Sequence, residues 1–280
     1  MADALEPGRR QTVVFFRDDD MRHLVEPLQA VMQTLRESGV PCSYEVVPED
    51  LADEVVGMAL EEKAKAPTLI HFHQHGLRHQ HIVDGQVDFA EFGWGRPLDD
   101  QLRDIRTGRE LLQARLGAAF DGDVFTPPCH KYDLNTLKAL EQTGFSTLSA
   151  GVRISPAARV YYGLGRTLRR VGWLGKRVSY HGRAIPGTGL VELSTCIDFD
   201  LANGADQPRS LDELWQEFCS CRQRLAIVGV NLHHACYVNQ GKVDVLRRFV
   251  ERLAGSPGIV FSSMRDILAG MGARPAKAGA

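Results

Sequence analysis

Five of the ten histidines in this sequence fall within eleven positions: His71, His73, His75, His79 and His81. Imidazole titrates near neutral pH and is a common ligand of divalent metals, so such a cluster points to acid/base or metal chemistry. On an extended strand His71, His73 and His75 point to one side. If a helical turn begins at His75, then His75 and His79, at i and i+4, share a face and can chelate one ion. Ordinary surface or core histidines are the plainer reading, but five alternating within so short a stretch fit it poorly. Upstream, Asp18-Asp19-Asp20 follow Arg17 and the β-rich run Thr12-Val-Val-Phe-Phe16. Adjacent carboxylates repel, so a cation or a bound proton must compensate, unless they lie in a solvated loop and cap a helix. Two histidines with Asp19 or Asp20 would form a site that keeps positions open for water and substrate. Two more segments carry polar groups at strand ends. In Phe125-Thr-Pro-Pro-Cys-His130 the double proline stiffens a loop. Val228-Gly-Val-Asn-Leu-His-His-Ala235 ends in paired histidines, each a candidate acid/base or simply a satisfied strand-end histidine.

The elements that must position these groups can be read from hydrophobic spacing. Strands are expected at 12–16, 43–47, 68–72, 124–125, 226–232 and 258–261. Helices are expected at 24–38, 50–65, 98–116, 135–143, 211–225 and 242–253, with a short closing helix at 264–268. Strand and helix alternate, and the polar clusters follow strands. That pattern predicts parallel βα units with a site at the strand C-termini: an α/β distorted (β/α) barrel of seven or eight parallel strands, with an open doubly wound sheet as runner-up. No repeat and no Pro-, Gly- or Ser-rich linker divides the chain, so 1–271 is expected to form one domain, with a disordered tail at 272–280.

Composition narrows the classes. The chain has 280 residues, 44% hydrophobic and 24% charged, a globular balance long enough for a sizeable core. A formal net charge of −2 gives no indication of nucleic-acid binding. No apolar run is long enough to span a bilayer, and the first residues carry no secretory h-region. A cytoplasmic location is therefore expected, with the six cysteines, which include no C-x-x-C pair, as reduced thiols.

Taken in order, these segments resemble the motifs of the polysaccharide deacetylase family, the NodB-homology carbohydrate esterases, over nearly the whole chain. Arg17-Asp18-Asp19-Asp20-Met21 resembles the family's T-F-D-D-G. His75-Gly-Leu-Arg-His79 matches its H-x-x-x-H, Phe125-Thr-Pro-Pro-Cys129 resembles R-P-P-Y-G, and Val230-Asn-Leu-His-His234 resembles the late L-x-H strand. The resemblance implies a NodB-like barrel and a metal-dependent N-deacetylase acting on a sugar derivative. It further implies Asp19 as general base, Asp20, His75 and His79 as ligands of a divalent metal (Zn2+ first), and His233 or His234 as general acid. His71, His73 and His81 would then be supporting residues. Arg17, Pro127, Pro128 and His130 would face the substrate. Met21 stands in place of the family Gly, Thr126 in place of Arg, and Cys129-His130 in place of Tyr-Gly; the family Arg steadies the base, and Arg17 or Lys131 is expected to substitute for it. Alternatives are an inactive metal-binding, glycan-recognising relative and a hydrolase of non-sugar C–N bonds.

One stretch stands apart. Positions 153–191 hold eight Arg and Lys and no acidic residue. This looks like an insertion or lid, with Arg166, Arg169 and Arg170 suited to phosphate recognition and Tyr161, Tyr162 and Trp173 to stacking. A protein without a secretion signal would meet intracellular precursors, commonly nucleotide- or lipid-diphosphate-linked. The other use of this stretch is peripheral contact with an anionic membrane through Leu164, Leu168, Trp173 and Leu174.

Overall fold

The computed structural model describes residues 11–83, 85–169, 178–200, 209–237 and 240–271. Arg170, Trp173, Leu174 and the tail from Gly272 lie outside them. The strands are β1 (Thr12–Met21), β2 (Cys42–Val46), β3 (Ile70–His75), β4 (His81–Val83), β5 (Gln86–Asp88), β6 (Phe120–Thr126), β7 (Thr147–Leu148), β8 (Arg183–Ala184), β9 (Val191–Glu192), β10 (Ile197–Asp198), β11 (Ile227–His233) and β12 (Ile259–Phe261). The helices are α1 (Val25–Glu37), α2 (Asp53–Lys65), α3 (Leu98–Leu116), α4 (Leu134–Gln142), α5 (Pro156–Thr167), α6 (Leu211–Arg222), α7 (Gln240–Ala254) and α8 (Met264–Gly270). Local chemistry sets several boundaries. Asp133 and Thr136 form a reciprocal capping box on α4, as Ser210 and Glu213 do on α6, and Ser263 caps α8.

The main sheet runs β10-β11-β1-β2-β3-β6-β7-β9-β8, with β12 beside the start of β1. It is parallel except where β8 meets β9. The run 191–198 pairs with β7 through Val191 and Glu192, and with β11 through Ile197 and Asp198. The sheet therefore curls until both edges reach one segment, the distorted, mostly parallel (β/α) barrel expected from the sequence.

On β1 the side chains divide by parity, as the strand period requires. Val14 and Phe16 join the large core shared with α1, α2, α6 and α7. Phe15 packs on the opposite side with Val124, Leu193, Met264, Ile267 and Leu268, where α8 closes the lower end of the barrel. A third core lies beneath α3 and α4 around Phe92, Phe125, Leu140 and Leu148. Above the apolar plug the inward positions turn polar, with Arg17, Glu45 and His73 all buried. The antiparallel hairpin β4–β5 is an addition to the expected strands. Its six paired residues are too few, and its outer face too exposed, to give a hydrophobic period.

Candidate metal and catalytic site

The three consecutive aspartates do three different things because β1 bulges. Its register against β2 shifts between Asp18 and Met21, and Asp20 takes a left-handed backbone conformation (φ 71°), which Asp tolerates better than most residues. Asp18 faces the helix side and is fully buried, accepting hydrogen bonds from the His234 backbone N–H and pairing with His234 Nδ1, each at 2.8 Å. Asp19 points inward. Asp20, turned by the bulge, has its Oδ1 at 3.4 Å from His75 Nε2 and 3.1 Å from His79 Nε2.

His75 ends β3, and the chain then reverses in a tight turn. No helix begins there, contrary to the i,i+4 expectation; left-handed conformations at Gly76 (φ 63°) and His79 (φ 58°) bring the second imidazole back over the first, ring centroids 5.0 Å apart. Buried Glu91 holds the turn by accepting from the backbone N–H groups of Leu77, Arg78 and His79. Gly76 is required here twice over: a Cβ would lie 2.2 Å from Glu91 Oε2 and 2.8 Å from Pro128 Cγ.

Three potential ligand atoms from Asp20, His75 and His79 thus lie within 4.8 Å of one another. The Thr126 carbonyl, 3.0 Å from His75 Nδ1, accepts its proton, so Nε2 is the nitrogen that faces the cluster. Asp20 Oδ1 is buried with no hydrogen-bond donor. Burial opposes ionisation of Asp20, but the His75 and His79 imidazoles that face it hold its pKa well below the usual range. His79 is pushed down to about 4 by burial and by the charge of His75, so it is neutral at physiological pH. A buried carboxylate oxygen without a donor, within 3.4 Å of the Nε2 atoms of His75 and His79, is a donor set that suits a divalent cation.

Beside it, Asp19 is clamped. Burial raises its pKa, but Arg17 and then His75 outweigh this and bring it to about 2. Arg17 is wholly buried, its Nε 2.8 Å from Asp19 Oδ1 and its Nη2 2.9 Å from Asp19 Oδ2. The Nε–H itself donates to Asn231 Oδ1, and Nη1 donates to Ser149 Oγ and the Ser149 carbonyl. His130 Nδ1 lies 3.3 Å from Nη2 and accepts from it, because burial and the Arg17 charge depress this imidazole to about 3. Of the two cations expected to replace the family Arg, Arg17 is the one paired with Asp19. Lys131 instead sits 3.9 Å above the Trp94 ring.

At the end of β11, His233 is in register with Asp19 and partly exposed, its Nδ1 3.9 Å from Asp198 Oδ1. His234 is buried in its pair with Asp18, which removes it from the candidates for proton donation to a substrate.

The structure therefore gathers Asp19, Asp20, His75, His79, His130 and His233 at the C-terminal ends of β1, β3, β6 and β11. Arg17, Pro127 and Pro128, expected at the substrate, are buried. Arg166 lines a separate cavity, Arg169 follows α5, and Arg170 lies outside the described residues. His71 and His73 lie deeper in the barrel, against Asp121 and Glu45. Sequence reasoning missed Glu91, Ser149 and the aromatic rim of Phe89 (61% exposed, ring 6.5 Å from His79) and Trp94 (70% exposed). Phe89, Phe92 and Trp94, clustered among glycines, were the only signal of that rim.

No protein-family model and no curated protein sequence matches the chain. Solved structures do. A candidate polysaccharide deacetylase from Mycobacterium smegmatis superposes with TM-score 0.65 at 16% identity, covering 99% of this chain and 96% of that one. The fold is that of the polysaccharide deacetylases. The same fold occurs in the family 4 acetyl xylan esterase from Clostridium thermocellum, in complex with a cobalt ion (TM-score 0.55, 12% identity, 95% of this chain and 94% of that one). A 4-alpha-glucanotransferase from Thermococcus litoralis also shares the deacetylase fold (TM-score 0.59, 12% identity, 93% of this chain and 40% of that one). The fold alone therefore does not name the reaction; the side chains at the strand ends must. No helix among the described residues is long and apolar enough to cross a membrane.

Proposed function

We propose that this protein is a metal-dependent hydrolase that removes an N-acetyl group from a sugar derivative. The observation that carries the reading is the juxtaposition of the Asp20–His75–His79 donor set with an Asp19 carboxylate clamped by Arg17. A divalent cation held by Asp20, His75 and His79, Zn2+ by preference, would polarise the amide carbonyl and acidify a water molecule. Asp19, ionised at neutral pH, takes a proton from the attacking water. Arg17 fixes the carboxylate so that its orientation is set before substrate arrives. As the C–N bond breaks, His233 gives a proton to the leaving amine; its partial exposure lets it reach substrate, and Asp198 lies behind it. Acetate and the free amine are the products. Phe89 and Trp94 offer apolar faces on which a pyranose ring can stack.

The expectation of a diphosphate-linked precursor gains no support from Arg166, which belongs to another cavity. The deciding experiment is acetate release from a panel of N-acetylated sugars by the metal-loaded protein and by Asp19→Asn. Loss of a proton-transfer group should lower kcat by about 10²–10⁴ with metal content unchanged. Metal-loaded wild type that releases no acetate from any member of the panel would instead indicate a glycan-binding protein.

A further inference from the structure

A cavity of about 220 Å³ lies between α5 and the turn that precedes β11. Four arginines line it: Arg153, Arg159, Arg166 and Arg224. No carboxylate does. Among the described residues none of the four forms an ion pair, although most other arginines near the surface of this protein do. Glu192, the acid whose charge reaches Arg166, is engaged behind the wall by the Ser179 and Ser194 hydroxyls and the Tyr180 backbone N–H. His181 also lines the cavity, but its Nε2 meets the Ile227 carbonyl and its Nδ1 accepts from the Ser194 backbone N–H, so it adds no charge. Ser155, the N-cap of the twelve-residue α5, borders the same space and brings the positive end of a helix dipole to it.

Four guanidinium side chains line one cavity with no carboxylate among its lining residues, Arg224 steadied by the Ser220 carbonyl, and such a space favours an anion. Their planar forks match phosphate oxygens. The volume lies below the range of sites for drug-sized ligands, which points to a small anion. The cavity shares no residue with Asp19, Asp20, His75, His79 or His233. It adjoins the N-terminal end of β11, whereas His233 closes the other end, six residue steps or about 20 Å away.

We propose that this cavity is a binding site for a small phosphate-class anion, a phosphate or diphosphate group, separate from the metal ligands. The occupant bridges α5 and the turn at 223–225 through Arg153, Arg159, Arg166 and Arg224. Arg166 also donates to the Ser179 carbonyl at 2.7 Å and helps seat α5, so the test leaves it in place. Arg153 and Arg159 are exposed, and their loss should leave the fold intact.

The full-length protein is titrated with inorganic pyrophosphate by calorimetry, beside the Arg153→Gln, Arg159→Gln double variant and Asp20→Asn. Saturable binding to wild type, weakened about tenfold or more in the double variant and unchanged in Asp20→Asn, is the expected result. Uridine diphosphate titrated in parallel separates the sources. Equal affinity identifies the free anion as the ligand, and tighter binding identifies the diphosphate of a nucleotide. The proposal is overturned by absence of pyrophosphate binding to wild type, by equal affinity in the double variant, or by loss in Asp20→Asn, which would place the anion on the metal ligands. Capture by anionic phospholipid vesicles without pyrophosphate binding would also overturn it, in favour of a membrane surface along Val160, Leu164 and Leu168.

Discussion

His71, His73 and His75 alternate on one strand, face one side, and each meets a carboxylate, yet only the uppermost belongs to a candidate site. His71 has both nitrogens engaged, Nδ1 with Asp121 and Nε2 with the Thr68 carbonyl. His73 pairs with Glu45 at 3.3 Å, both almost entirely buried. Burial lowers the His73 pKa, but the hydrogen bond and charge of Glu45 outweigh it and the net shift is upward. His75 differs in what surrounds it. A bulge delivers Asp20, a strained turn delivers His79, and the strand end opens toward solvent. A His–carboxylate pair is thus a structural ion pair until a third donor and access convert it into a site. Among the described residues the Asp20–His75–His79 cluster is the one group of three with metal-ligand geometry.

Variants along β3 can break this comparison. The largest effect is expected at the top. His75→Ala with His79→Ala should abolish metal binding and, with it, acetate release, by a factor of about 10³ or more. The cooperative thermal transition should survive. Retained stoichiometric metal in the folded variant would remove the distinction between His75 and the histidines below it.

The middle level should answer in stability. His73→Ala strands Glu45 as a buried unpaired carboxylate, at a cost of about 3–5 kcal/mol in chemical denaturation. Replacing the pair together, Glu45→Met with His73→Phe, should recover most of that loss, since a buried pair exchanged for apolar groups is often near neutral. If the double variant kept its stability but lost metal binding, the middle pair would belong to the site after all.

The lowest level should answer to pH. Burial raises the Asp121 pKa, but the hydrogen bond to His71 and the nearby charges of His73, His71 and Lys63 bring it from 3.8 to about 2. A carboxylate depressed in the folded state contributes stability above its unfolded pKa and loses it as pH falls through the folded value. Asp121→Asn should therefore be less stable than wild type by about 2 kcal/mol near neutral pH. The difference should shrink between pH 3.8 and about 2. A gap independent of pH would assign the effect to packing alone.

Much of the fold was legible because its signals are local. The helix over Leu98–Leu116 was read to the residue, since its apolar spacing and terminal Gly117 need no distant partner. Strands such as 68–72 were cut short, because β3 continues to His75 through polar inward positions that no hydrophobic period marks. The residue types of the site were legible as well: Asp next to Asp, and two histidines four apart, limit the chemistry to metal and proton transfer.

Tertiary structure decided which of those residues does what. Three adjacent aspartates are equivalent in sequence, and only the bulge in β1, set by its pairing with β2, separates Asp18, Asp19 and Asp20 into three environments. His233 and His234 are likewise adjacent, and the strand pleat sends one toward Asp19 and buries the other against Asp18. The seating of Arg17 against Asp19 depends on Ser149 and Asn231, more than a hundred positions away in sequence. Residue type fixes what a group can do. Register, burial and a partner far along the chain fix whether it does so, because charge and proton affinity depend on the few ångströms around each atom.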